Sequence, residues 1–341
     1  MRRRSSSGSS APVSPSRCRA SRNVRGFRWR TRRELRGMPV IPPVVAGAAR
    51  LGFVLPDWLA GRSRREEELR TLDALVEAGC TAFDLAASYQ LGGTERLFGR
   101  WMASRGLRDR LFLIGKGGHP YPGVRPNRLT ADALSADLHA SLRRLRIERL
   151  DLYLLHRDFP AAPLEPMVRT LGAALREGKI RAWGVSNWSV ERIEAIQAAA
   201  RQEGLPAMAA SSPHFSLVDW ARPPWTGSVS IAGPAGRGAR SFHARTGLPV
   251  LAWSPLGAGF LTSEESRGCY GSPANAARRE RARALARDRG WSVAQVALAY
   301  LFSQPFPVSA VVAASTAAKM RENLAAAGLR LTAREVEALE A

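Results

Sequence analysis

The 341-residue chain has 45% hydrophobic and 23% charged residues, a composition typical of a globular protein with a sizeable core. Its formal net charge of +22 would suit a nucleic-acid-binding protein, but half of that surplus lies in the first 37 residues, which hold twelve arginines and one glutamate. Nowhere do 18 apolar residues run together, so the sequence gives no sign of a transmembrane helix. The three cysteines have no paired spacing, which argues against a disulfide scaffold or a structural zinc site and favours the reducing cytoplasm as the location.

Residues 1–37 form an Arg-, Ser- and Pro-rich segment with almost no apolar run, which predicts a disordered basic extension. A twin-arginine signal does not fit, because no apolar stretch follows the arginines. A transit peptide and a phosphate-binding arm stay open as interpretations of this segment. We favour a dispensable extension, with the folded part of the chain beginning at Met38.

From Met38 onward, short apolar runs alternate with amphipathic stretches. The strand-like runs lie at residues 40–47, 81–86, 111–116, 150–156, 180–186, 207–212, 248–254 and 308–314. Helical spacing of apolar residues is clear at 63–80, 129–147, 163–179 and 189–204, with Thr130 as a predicted N-cap. Eight strand-and-helix repeats in about 300 residues predict a single-domain (β/α)8 TIM barrel over residues 38–341.

One predicted connection is unusually long. Residues 218–247, between the sixth and seventh strand-like runs, are rich in Pro and Gly and contain Trp220 and Trp225. Connections of this length usually carry function or are disordered. We therefore expect this segment to form a lid over a binding mouth.

Several strand-like runs end on polar residues, which a parallel barrel would gather on its active-site face. Asp84, Lys116 and His156 close three consecutive runs, and Tyr89 follows Asp84 by five residues. A free Tyr, with a pKa near ~10, is a poor proton donor at neutral pH, and a buried ammonium beside its oxygen would lower that pKa. In this interpretation Asp84 holds Lys116 in place and charged, and a neutral His156 orients a carbonyl oxygen.

The rarity of lysine supports a role for Lys116, because the chain has only three lysines against 48 arginines. A planar guanidinium would neither titrate nor fit as a point charge beside a phenol. A Rossmann dinucleotide site is unsupported, since no GxGxxG follows the first strand-like run.

Six motifs in series resemble the aldo-keto reductase family over about residues 40–340. They are "FDLAASY", "LIGK", "LDLYLLHRD", "GKIRAWGVSNW", "LAWSPLGAGFLT" and "RENLAA". The resemblance implies a (β/α)8 oxidoreductase that reduces an aldehyde or ketone with NADPH, or runs the reverse reaction. It makes Tyr89 the general acid, Lys116 and Asp84 its tuning pair, and His156 the carbonyl-orienting group.

The resemblance also implies which residues bind the nucleotide. Ser186 and Asn187 would hydrogen-bond the nicotinamide carboxamide, and Trp253 would stack on the nicotinamide ring. The other implied cofactor-binding residues are Ser212, Ser254, Leu256, Gly259, Ser315, Lys319, Glu322 and Asn323. Two departures matter: Ser212 stands where the family commonly has Gln, and Ser315 where it often has a basic residue. The missing charge at Ser315 weakens the preference for NADP(H) and leaves Lys319 and Arg321 to supply it, so we expect NADP(H) and leave NAD(H) open.

The sequence supports three alternatives to this enzyme less well. One is a family member that binds the nucleotide but acts as a regulatory or accessory subunit, against which the complete set of four candidate catalytic residues argues. A metal-dependent barrel hydrolase is disfavoured, because none of the five histidines stands in an HxH or HExxH arrangement. Nucleic-acid binding would concern residues 1–37 only. The expected partner is a small carbonyl compound, with no metal and no membrane, and the sequence does not indicate an oligomeric state.

Overall fold

The computed structural model describes residues 39–52, 62–121, 127–263 and 268–341. Eight parallel strands close into a barrel in chain order, with the last strand beside the first. The strands are β1 (Val44–Gly47), β2 (Ala82–Asp84), β3 (Phe112–Gly117), β4 (Leu152–Leu155), β5 (Trp183–Ser186), β6 (Ala210–Ser212), β7 (Val250–Trp253) and β8 (Val308–Val312). The predicted barrel is thus confirmed, and each strand lies within or within one residue of its predicted run.

Helices surround the barrel between the strands. Those of the described residues are α1 (Arg62–Glu77), α2 (Gly93–Arg105), α3 (Ala131–Leu145), α4 (Glu165–Arg176), α5 (Val190–Gln202), α6 (Arg237–Thr246), α7 (Pro273–Arg289), α8 (Val293–Phe302), α9 (Ala317–Ala325) and α10 (Ala333–Glu340). The predicted cap of α3 is confirmed, because the Thr130 hydroxyl accepts a hydrogen bond from the Ala133 amide at 3.3 Å. None of the described helices is long and apolar enough to cross a membrane.

Two apolar layers hold the fold together, one inside the barrel and one between the strands and the helices. The interior layer is small and includes Val45, Ile114, Leu154 and Leu251. The outer layer contains most of the buried aromatic residues, such as the edge-on pair Phe83 and Phe98. Because strand side chains alternate between the two layers, each strand sends every second residue inward.

Part of the long predicted connection is helical. Residues 237–246 form α6, which ends at Gly247 in the left-handed conformation, so the irregular part of the segment is shorter than the sequence suggested. Parallel backbone bridges join His214 to Ser230 and to Trp253, and they fasten the segment to the barrel. The predicted N-terminal extension, residues 1–37, lies outside the described residues, as does Met38.

Candidate active site

Alternation along the strands explains which predicted site residues face the barrel interior. Ile114 belongs to the interior layer, so Lys116, two residues further along β3, faces the same way. The same even spacing from an interior side chain places five more residues inward: Asp84, His156, Ser186, Ser212 and Trp253. All of them lie at the carboxyl ends of their strands, where the side chains of a parallel barrel meet.

A single cavity of about 2250 Å³ is lined by all fifteen residues that the sequence predicted for the site. Its lining extends from Asp84 and Tyr89 past Trp253 to Asn323 on α9. The fold therefore brings the predicted residues from six strand ends and from α9 together around one cavity. Of the segment after Lys116, residues 122–126 lie outside the described residues.

The Lys116 ammonium lies at the centre of a buried hydrogen-bonding cluster. Its Nζ atom donates to Asp84 Oδ2 at 2.7 Å, to the Leu85 carbonyl at 3.1 Å and to the Tyr89 hydroxyl at 2.9 Å. An ammonium has three hydrogens, so these contacts use all of them. Lys116 and Asp84 are only 3% and 5% exposed, which means that neither charge is screened by solvent.

Burial and the neighbouring charges together set the protonation of the Tyr89 phenol. Burial raises the pKa of Tyr89, and Lys116 opposes that shift only in part. The net direction is upward, opposite to the sequence-based expectation, because removing a phenolate from water costs more than one nearby ammonium returns. Burial lowers the pKa of Lys116, but Asp84 and Tyr89 more than offset it, so the net pKa is raised and the ammonium stays charged.

Asp84 supplies the countercharge of this cluster. Burial raises the pKa of Asp84, and the attraction of Lys116 opposes the rise. The carboxylate Oδ1 lies 2.6 Å from Nζ, so both oxygens of Asp84 contact the ammonium. The tertiary structure thus has a half-buried, protonated phenol held against a buried, paired lysine.

His156 lies beside this cluster at the end of β4, with its ring edge-on to the Tyr89 ring at 5.7 Å between centroids. Burial, reinforced by Lys116 and His119, lowers the pKa of His156 well below its ordinary value, so the imidazole is neutral. Its Nδ1 lies 3.4 Å from the Ser88 hydroxyl. A hydroxyl that donates to Nδ1 leaves the remaining hydrogen on Nε2.

Three cavity-lining residues near His156 were not identified from the sequence. They are Ser88, His119 and Arg157. The His119 ring lies 4.7 Å from that of His156, edge-on, and burial lowers its pKa as well. Ser88 and Arg157 each stand directly beside a predicted site residue, and that adjacency is the signal that could have found them.

Ser186, Asn187 and Ser212 form a connected group on the opposite wall. The Ser186 hydroxyl donates to the Ser212 carbonyl at 3.1 Å and accepts from Asn187 Nδ2 at 2.9 Å. Asn187 has a φ of 59°, a left-handed conformation that Asn tolerates better than most residues. The Ser212 hydroxyl donates to the Leu251 carbonyl at 2.8 Å, so its hydrogen is directed at the backbone rather than into the cavity.

Trp253 is fixed in place from several sides. Its Nε1 donates to Asn187 Oδ1 at 3.2 Å, and its ring packs against His214 at 5.1 Å and Trp220 at 5.6 Å. Of the two tryptophans predicted to cover the mouth, Trp225 lines the cavity and is 60% exposed. Trp220 instead stacks on the buried His214 ring at 4.5 Å.

The loop after β7 is built from left-handed residues. Ser254, Gly257, Ala258 and Gly259 all have positive φ, between 51° and 93°. The Gly257 amide donates to the Ser254 carbonyl and the Gly259 amide to the Leu256 carbonyl. Those two N–H groups are therefore used within the loop rather than offered to the cavity.

The far end of the cavity is formed by the start of α9. Thr316 caps this helix by accepting a hydrogen bond from the Lys319 amide at 3.3 Å. Ser315 and Lys319 are exposed, Glu322 is half-buried and Asn323 is buried. A helix N-terminus with a lysine on its first turn is electropositive and suits an anionic group.

Comparisons with known proteins agree with this geometry. The aldo/keto reductase family model matches residues 43–341. Methylglyoxal reductase YeaE of Escherichia coli is 30% identical over 291 residues, which cover 83% of this chain and 87% of that protein. Aldo-keto reductase str7 of Strobilurus tenacellus is 28% identical over 321 residues, which cover 86% of this chain and 85% of that protein.

A solved structure of an aldo/keto reductase is also similar to this chain. An aldo/keto reductase from Klebsiella pneumoniae, crystallised in complex with NADP and acetate, superposes with a TM-score of 0.67 at 28% identity. The match covers 88% of this chain and 90% of that one.

Proposed function

The chain belongs to the aldo/keto reductase family, and from that membership we propose that it reduces an aldehyde or ketone to an alcohol with NADPH, Tyr89 being the general acid. The observation that carries this proposal is the Lys116 ammonium, whose three hydrogens go to Asp84, Leu85 and the Tyr89 hydroxyl. Of the three side chains in this group, Tyr89 is the least buried, and its phenol lines the cavity where a substrate would bind. The reverse oxidation uses the same residues.

Tyr89 would deliver its hydroxyl proton to the carbonyl oxygen as that oxygen becomes an alkoxide. The raised pKa keeps the phenol protonated at neutral pH, which is the form that a proton donor needs. As the proton leaves, the phenolate oxygen gains charge while it accepts from Lys116, so this hydrogen bond strengthens during the reaction. Asp84 keeps Lys116 charged and fixed, and general acid catalysis of this kind contributes about 10²–10⁴-fold.

His156 would orient the carbonyl group. A neutral imidazole whose Nδ1 accepts from Ser88 has its hydrogen on Nε2, and that hydrogen can bind the carbonyl oxygen. A second donor on the same oxygen polarises the carbonyl and fixes its direction relative to Tyr89. Because His156 stays neutral, it does not compete with Tyr89 as the acid.

The donors and acceptors of the opposite wall fit a nicotinamide carboxamide. Asn187 Nδ2 uses one hydrogen on Ser186 and keeps the other for a carbonyl oxygen. The Ser186 oxygen keeps a lone pair for an amide N–H, and the Trp253 face offers an aromatic surface beside them. A bound nicotinamide nucleotide supplies the hydride for the reduction.

The other end of the cavity supports NADP(H) over NAD(H). Lys319 and the N-terminus of α9 provide positive charge for a 2′-phosphate, and Glu322 and Asn323, which line the same cavity, would contact the adenine as the family resemblance implies. The Klebsiella pneumoniae structure, complexed with NADP, supports the same choice.

The test compares Tyr89→Phe with the natural protein. NADPH consumption is measured with a panel of aliphatic, aromatic, sugar and steroid carbonyls, and nucleotide binding by quenching of tryptophan fluorescence. We expect the variant to lose at least about a hundredfold in kcat with nearly unchanged NADPH affinity, since only the acid is removed. Retained activity would refute the role of Tyr89, and binding without turnover by the natural protein would indicate an accessory subunit instead.

A further inference from the structure

A guanidinium that has no carboxylate partner among the described residues lies in the cavity next to the proposed acid. Arg157 follows His156 directly, is half-buried and lines the cavity. The neighbouring carboxylate, Asp158, is already engaged in an ion pair with Arg192 at 3.1 Å. Within the described residues, no carboxylate forms an ion pair with Arg157.

Arg157 interacts electrostatically with Tyr89, at the end of the cavity where the reaction would take place. Burial lowers its pKa, and an ionised Tyr89 is the group that opposes this shift. The other charges at this end, Lys116 and Asp84, neutralise each other at 2.6 Å. His119 and His156 are neutral, because burial lowers the pKa of each. Among the residues that the structure describes, Arg157 therefore leaves this end of the cavity with one net positive charge.

The hydrogen bonds of Arg157 leave one edge of the guanidinium available. Its Nη1 donates to the Gly227 carbonyl at 3.0 Å and to the Ser228 hydroxyl at 3.2 Å. No partner of Nε or Nη2 is found in the part of the chain that the structure describes. The edge formed by Nε and Nη2 presents two parallel N–H groups, which is the arrangement that binds a carboxylate through both oxygens.

We propose that Arg157 binds a carboxylate carried by the carbonyl substrate, so that the enzyme prefers oxo-acids to neutral carbonyl compounds of the same size. The exposed Trp225 and the neighbouring Thr226 line the same cavity, and the Trp225 ring offers the substrate an aromatic surface. This inference rests on the proposed function, since the carboxylate belongs to the substrate of that reaction.

The binding experiment uses a pair of alcohols that differ only in charge. They are 4-(hydroxymethyl)benzoate and its methyl ester, titrated against the full-length protein with and without NADP by tryptophan fluorescence. We expect the acid to bind at least about tenfold more tightly than the ester, equivalent to about 1.4 kcal/mol. Arg157→Gln should abolish this ratio by weakening binding of the acid alone. Equal binding of the two compounds, or a ratio that survives in Arg157→Gln, would overturn the proposal.

Two control variants separate charge from loop positioning. Arg222 lies in the same segment, and its exposed guanidinium does not line the cavity. The variant Arg222→Gln should therefore keep the ratio. Ser228→Ala removes one hydrogen bond between Arg157 and the loop but leaves the charge, and it should keep the ratio as well. If Ser228→Ala loses the ratio as completely as Arg157→Gln, Arg157 only positions the loop and the proposal fails.

An activity experiment distinguishes this inference from the proposed function. NADPH consumption is measured with 4-carboxybenzaldehyde and its methyl ester. Charge-selective binding without turnover of either aldehyde would refute the proposed function and leave the Arg157 site standing. Turnover of both aldehydes with equal KM would refute the Arg157 site and leave the proposed function standing.

Discussion

Two histidines outside the proposed reaction should make the protein lose stability as the pH falls. His214 and His243 are 0% and 1% exposed. Burial lowers the pKa of His214 to about 3 and that of His243 to about 4. Each neutral ring is hydrogen-bonded: His214 to Ser230 and Tyr270, and His243 to the Leu248 carbonyl.

The sign and size of the effect follow from these pKa values. In the unfolded chain a histidine titrates near 6.5, so between that pH and the folded pKa only the unfolded state takes up the proton. Stability is therefore full above about pH 6.5 and falls as the pH drops, by up to about 1.4 kcal/mol per pH unit for each group. Between pH 7.5 and 5.0 each histidine should remove about 2 kcal/mol, a large share of a typical stability of about 5–15 kcal/mol.

The substitution His243→Asn isolates one of these contributions. The asparagine amide can still donate to the Leu248 carbonyl, as His243 Nδ1 does at 2.9 Å, but it does not titrate. The free energy of unfolding in urea is measured at pH 7.5 and 5.0 for both proteins. We expect the variant to be less stable at pH 7.5, because a cavity replaces part of the ring, but to lose about 2 kcal/mol less on acidification.

His139→Asn, on the exposed face of α3, serves as the matched control. This variant makes the same exchange at the surface, so it reports the effect of a His-to-Asn exchange without burial. If His243→Asn and the natural protein lose stability in parallel between the two pH values, burial of His243 does not control its protonation and the reasoning is wrong.

Four further substitutions test the site and two of the strands that support it. Lys116→Arg should lower kcat by at least about a hundredfold with NADPH binding retained, because a planar guanidinium cannot replace an ammonium whose three hydrogens are used; near-normal kcat would contradict this. Lys319→Ala should raise the Kd for NADPH about tenfold and leave that for NADH unchanged. An equal loss of affinity for both nucleotides would show that Lys319 does not bind the 2′-phosphate. Gly117→Ala should cost about 2–3 kcal/mol in urea unfolding, because its Cβ would overlap the Tyr153 hydroxyl. That hydroxyl has no hydrogen-bond partner within the described residues, so adding Tyr153→Phe should recover part of the loss; no recovery would locate the strain elsewhere.

The sequence alone was sufficient for the barrel and for the position of most site residues along it. Eight apolar runs separated by amphipathic stretches specify parallel strands with helical crossovers, and the period of two within a strand places Lys116 on the same face as Ile114. These are local properties, since they depend on residues a few positions apart. The roles of Tyr89, Lys116, Asp84 and His156 came from residue chemistry together with a family resemblance, and they stay predictions until the variants are measured.

Only the tertiary structure decided the electrostatics and the contacts between distant segments. The pKa of Tyr89 moves upward because burial outweighs Lys116, and burial cannot be read from the spacing of Asp84 and Tyr89. The bond between Arg157 and Ser228 joins positions 71 residues apart, and no periodicity indicates it. Desolvation and pairing depend on which side chains surround a group in three dimensions, whereas a strand pattern depends only on the chain next to it.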